Sequence, residues 1–175
     1  SKALIKRTLI FFVGKYDKKY LESLEEKMYN FYIEYYYEHC IDETYLYEGV
    51  ENNLKKLFEL KINMFLITNK PNDIAINTIK KLNIFDYFKA IIGDGIYPYR
   101  KPDINIWLNL KRDYNLIENE TIMVGDGIPD YEFAKNSKIK VLLALYGITD
   151  KNILLEKKND YYINSFAEVY DFINK

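Results

Sequence analysis

A chain of 175 residues with 49% hydrophobic content is long enough to bury a sizeable core, so disorder is excluded and one domain with a small appendage is expected. Its 25 basic and 26 acidic residues leave a formal net charge of -1, which provides no broad field for nucleic acid or an anionic membrane surface. The lone Cys40 excludes an internal disulfide, no signal peptide is legible, and no apolar run approaches the roughly 20 residues of a membrane span, so a cytoplasmic protein is expected.

The first stretch, residues 1–45, reads as helical without intervening strands. Leu4, Ile5, Thr8, Leu9 and Phe12 fit one helix face, although residues 8–13 are also β-branched and aromatic enough for a strand. Asp17 is placed as an N-cap. Leu21, Leu24, Met28, Phe31 and Tyr35 then recur at steps of three and four, which predicts a long amphipathic helix. Residues 39–44 are the expected hinge.

From Tyr47 onward, helical and strand patterns alternate. Leu54, Leu57 and Phe58 mark a helix, 64–67 a strand, 74–82 a helix and 89–93 a strand. A helix over 104–110, a strand over 121–124, a helix over 131–136 and a strand over 139–145 follow, then a short strand at 161–163 and a helix at 166–173. This order predicts an α/β core over 46–175, with a mostly parallel sheet covered by helices on both faces.

Three segments stand out within this pattern. Residues 64–69 read Met-Phe-Leu-Ile-Thr-Asn, Lys101 precedes Pro102, and residues 122–130 read Ile-Met-Val-Gly-Asp-Gly-Ile-Pro-Asp. The first and last lie where a short apolar run breaks into polar residues, the position at which open α/β sheets place their chemistry. In this ordered series the chain resembles the haloacid dehalogenase superfamily of phosphohydrolases, phosphoglycolate phosphatase-like branch. Thr68, Lys101, and Asp126 with Asp130 match three of that family's four motifs in order, and the runs at residues 68–71 and 47–50 resemble the branch's own versions.

The resemblance implies a three-layer Rossmann-like core with a parallel sheet, and makes 1–45 part of a helical cap. It also implies a Mg²⁺-dependent phosphatase of a small phosphorylated metabolite, working through an aspartyl phosphate as a monomer or homodimer, with neither nucleic acid nor membrane as partner. Thr68, helped by the Asn69 amide, would contact a phosphoryl oxygen, and Lys101 would neutralise phosphoryl and nucleophile charge. Asp126 would ligate Mg²⁺, and Asp130 would orient a water or Lys101 from behind; the alternative for Asp130 is a helix cap. Arg100 is either a solvated charge or a phosphate contact. Tyr35, Tyr36 and Tyr37 are assigned to helix packing, His39 and Cys40 to structural positions, and residues 93–95 to a turn.

The family's remaining motif, an Asp-x-Asp after the first strand, does not occur in this sequence. That strand belongs beside the strands ending at Ile67 and Val124, and its omission would leave backbone groups unpaired on both sides. An upstream segment carrying strand and nucleophile is therefore expected. The alternatives are that residues 8–13 form the strand in a catalytically inactive binding or regulatory relative, with Gly14 in the nucleophile loop, or that a partner supplies it.

Overall fold

The computed structural model describes residues 5–9 and 18–174, which divide into two compact units, 1–44 and 45–175. In the first unit residues 5–9 are helical, with Ile5 and Leu9 buried. The strand alternative for 8–13 therefore fails at its start, because Thr8 and Leu9 belong to a helix; Asp17 and residues 10–13 lie outside the described residues.

Helix α1 spans Lys18–Glu38. Its orientation corrects the periodicity argument. Leu21 and Leu24 are half-buried, but Phe31 is 69% and Tyr35 55% exposed, while Tyr29, Tyr32, Ile33 and Tyr36 form the more covered stripe. Two aromatic stripes of similar apolarity run along this helix, so spacing alone does not decide which is covered. Phe31 stacks on Tyr35 and Tyr35 on His39 along the exposed one, at centroid separations of 6.2 and 4.2 Å.

The second unit runs α2 (Val50–Glu59), β1 (Phe65–Pro71), α3 (Asn72–Lys81), β2 (Ala90–Asp94), α4 (Asn105–Tyr114), β3 (Ile122–Gly125), α5 (Ile128–Ser137), β4 (Lys140–Ala144), α6 (Lys151–Leu155), β5 (Tyr162–Ile163) and α7 (Ala167–Ile173). All ladders are parallel, in two groups: β1 with β2, and β3 with β4 with β5. Successive side chains alternate between two apolar layers, as buried parallel strands require. Phe65, Ile67, Met123, Val141 and Leu143 pack with Trp107 and Leu110 of α4 and Phe133 of α5, in one cluster that joins the two strand groups. Val124, Leu142 and Ala144 pack on the other face with Leu57 of α2 and Val169 of α7, and Leu66 with Leu54 and Ile79. Burying each such side chain is worth about 1.5–3 kcal/mol, which makes these layers the main source of order.

Among the described residues no ladder joins β1 to β3. Both are aliphatic on two faces, yet all four residues of β3 remain half-buried, whereas Val141 to Ala144 of β4 are fully buried.

Two elements differ from expectation. Strand β1 continues past 67 through residues 68–71, where the register shifts so that Pro71 pairs with Asp94, and α3 follows directly from Asn72. Helix α6 was not anticipated; Asp150 caps it, its carboxylate accepting a 2.8 Å hydrogen bond from Asn152 N.

Candidate active site

Because the strands are parallel, the C-terminal ends of β1, β2, β3 and β4 lie on one edge, and the polar residues that follow each are brought to it. Thr68 sits in β1 just past the last regular pair of its ladder. Its Oγ1 accepts from Lys70 N at 3.1 Å, which fixes the hydroxyl oxygen locally and leaves its O–H to donate elsewhere.

Lys101 comes from the loop between β2 and α4, and two asparagines hold that loop. Asn69 Nδ2 donates to Lys101 O at 3.1 Å and Asn69 Oδ1 accepts from Lys101 N at 2.9 Å, so one side chain clamps both faces of the lysine's main chain. Asn136 of α5 donates to Pro102 O at 3.1 Å. The side-chain amide of Asn69 is thus engaged by the protein itself, whereas the contact expected of Asn69 was through its backbone amide.

The Lys101 side chain is largely buried. Its Nζ donates to Ile67 O at 2.8 Å and to Asp130 Oδ1 at 2.5 Å, with Lys101 and Asp130 side chains only 11% and 10% exposed. An ammonium carries three donors, so two are used by the protein and one remains for an anion. Asp130 has both carboxylate oxygens engaged. Its Oδ2 accepts from Gly127 N at 3.0 Å, capping α5, while Oδ1 holds Lys101. Gly125 makes that placement possible, because a Cβ there would lie 2.3 Å from Asp130 Cβ.

Asp126 stands apart from this network and meets the turn after β4, where Ile148 N donates to its Oδ2 at 2.8 Å. Tyr146 lies in the same turn and packs edge-on against Tyr47 with centroids 5.2 Å apart. Burial, and then the Asp126 carboxylate, push the Tyr146 phenol up to about 12. Tyr146, Gly147, Ile148 and Asn136 carry no motif in the sequence that assigns them to this edge. The legible signal for this turn was a glycine close behind the apolar run 139–145.

Among the described residues no group of three or more His, Cys, Asp or Glu forms a metal cage. The donor at the strand ends is nonetheless of the right kind for Mg²⁺: a carboxylate oxygen, with neither thiolate nor imidazole among the residues that meet here. Such an ion keeps several waters and needs only one or two protein carboxylates. Asp126 fits that requirement, whereas Asp130 has both oxygens engaged. Arg100 pairs with Asp94, its Nε donating to Oδ1 at 2.6 Å, and its side chain stays 58% exposed to solvent.

Known proteins resemble this chain over most of its length. The family model for haloacid dehalogenase-like hydrolases matches residues 3–144, a span that takes in β1 to β4 and every residue of the Lys101 network. A phosphoglycolate phosphatase of Chromobacterium violaceum is 31% identical over 160 residues, covering 90% of this chain and 71% of that protein. Another from Vibrio vulnificus is 29% identical over 131 residues, which is 74% of this chain but 57% of its relative. The crystal structure of a predicted phosphoglycolate phosphatase from Haemophilus somnus superposes with a TM-score of 0.82 at 20% identity, covering 97% of this chain and 73% of that one. At that identity the superposition speaks for the fold, and the family match for the lineage: the chain belongs to the haloacid dehalogenase-like hydrolases.

Proposed function

We propose that the protein is a Mg²⁺-dependent phosphatase of a small phosphorylated metabolite, with a phosphoglycolate-like compound as the leading substrate. The observation that supports this best is the buried Lys101 ammonium, held by Ile67 O of β1 and by Asp130 in the first turn of α5 with one donor direction left for an anion. The names of the similar proteins from Chromobacterium violaceum and Vibrio vulnificus support the substrate class.

In this reading the nucleophile is an aspartate upstream of Ser1, on a strand that pairs with both β1 and β3. Its carboxylate oxygen displaces the metabolite's alkoxide from phosphorus, and the leaving oxygen takes a proton from solvent, which the later hydrolysis returns. Water then cleaves the aspartyl phosphate, releasing inorganic phosphate and restoring the carboxylate. Lys101 neutralises the charge that accumulates on the phosphoryl oxygens, and Thr68 donates its O–H to one of them. Asp130 holds Lys101 in place, and Asp126 is the ligand for the cation, which would supply further charge neutralisation at the phosphoryl group.

The test is phosphate release by the full-length protein from phosphoglycolate and a panel of phosphomonoesters, with and without chelator. Hydrolysis that EDTA abolishes and Mg²⁺ restores is expected. Absence of hydrolysis across the panel refutes the proposal.

A further inference from the structure

The carboxylate of Asp126 rests on the turn that follows β4. A Cβ built on Gly147 would lie 2.1 Å from Asp126 Cβ, 2.3 Å from Oδ2 and 2.6 Å from Cγ, all far inside ordinary contact. The aspartate side chain therefore lies flat against the glycine backbone. Gly147 is not among the glycines at positive φ, so what the position needs is space rather than unusual backbone geometry. The next residue supplies the hydrogen bond, Ile148 N to Asp126 Oδ2 at 2.8 Å, and its own side chain is 93% exposed. The turn thus offers Asp126 a bare backbone surface and one amide donor.

We infer that Gly147 and Ile148 form a positioning saddle that sets the Asp126 carboxylate for its cation. The inference rests on the proposed role of Asp126 as the Mg²⁺ ligand. The saddle engages Oδ2 and leaves Oδ1 as the oxygen for the ion, so the side chain is confined before the metal arrives and less freedom is lost on binding. A purely structural turn would confine the loop equally well but would not set the affinity for a cation.

The deciding experiment is Mg²⁺ titration calorimetry on the full-length protein, with thermal unfolding of the metal-free form alongside. Asp126→Asn is expected to lose Mg²⁺ binding. Gly147→Ala is expected to fold and to bind Mg²⁺ at least about tenfold more weakly, in line with the effect of groups that orient metal ligands. Wild-type affinity in Gly147→Ala, with binding lost in Asp126→Asn, overturns the saddle and leaves the phosphatase reading intact. Wild-type affinity in Asp126→Asn removes the cation role itself, and the saddle with it. Should Gly147→Ala not fold, amide hydrogen exchange at Ile148 decides: Mg²⁺ slows it in the wild type and not in Asp126→Asn if the two are coupled. Equal rates with and without Mg²⁺ in the wild type refute the coupling.

Discussion

Lys101 Nζ and Asp130 Oδ1 meet at 2.5 Å although 29 residues separate them, and the same ammonium reaches Ile67 O at 2.8 Å on the neighbouring strand. One cation thus ties the end of β1 to the start of α5. A largely buried pair of this kind contributes little net stability, because desolvating both charges offsets most of their attraction, but removing one partner strands the other. Lys101→Ala should accordingly reduce phosphate release by the full-length protein by about 10² to 10³, the range for removing a preorganised charge from a developing transition state, and Asp126→Asn by a similar factor. Steady-state kinetics check this; near-normal turnover in either variant removes that residue from the mechanism.

The two hydrogen bonds between Asn69 and the Lys101 main chain give a separate prediction. If Asn69 serves to place Lys101, Asn69→Ala should lower kcat on the order of tenfold with little change in KM, because misplacing a charged group weakens transition-state contacts more than substrate capture. A raised KM at unchanged kcat would instead assign its side chain to substrate binding. The cost to stability should be about 1 kcal/mol, since both bonds are solvent-accessible.

Gly125→Ala tests how tightly β3 is fitted to α5. The new Cβ would lie 2.3 Å from Asp130 Cβ and 2.5 Å from its Cγ, so either the strand or the helix start has to move. Overpacking of this kind costs about 1–3 kcal/mol, which urea unfolding resolves. An unchanged midpoint would mean that Asp130 relocates freely.

What the sequence made legible, and what it did not, follows from the range of the interactions involved. Thr68, Lys101, Asp126 and Asp130 were legible as candidates because local signals, an apolar strand breaking into polar residues or a Lys-Pro pair, fall in the order of the family's motifs. The sequence could not show that Asn69 would engage Lys101, 32 residues away, or that the Ile148 amide would meet Asp126, 22 residues back. Those contacts depend on which strand ends become neighbours. The same limit explains α1, where periodicity identified the helix but not its covered stripe.

The Tyr146 phenol yields a pH prediction. Its value is raised from 10.0 to about 12 in the folded protein, so between those limits the unfolded chain gives up the proton first and stability falls as pH rises. Below about pH 10 this group has no influence. Tyr146→Phe should therefore show a shallower loss of stability than wild type between pH 10 and 12, measured by urea unfolding at matched pH. Parallel curves would show that the phenol is no more protected in the folded state than in the unfolded one.

The lack of a ladder between β1 and β3 among the described residues carries the last prediction. Ile122, Met123 and Val124 are aliphatic or thioether side chains on both faces of β3, a composition suited to an interior strand, yet they are only half-buried and no ladder reaches β1 among the described residues. A strand paired to both neighbours would satisfy the facing backbone groups and bury these side chains, and in the proposed mechanism it also brings the nucleophile next to Lys101. Residues 1–175 expressed alone should then unfold at a lower temperature than a protein extended upstream through such a strand, and should release no phosphate from a monoester on which the extended protein is active. Thermal unfolding and phosphate release, run side by side on the two proteins, check both halves. Mg²⁺-dependent hydrolysis by residues 1–175 as a stable monomer would place the nucleophile within this chain and refute the upstream assignment.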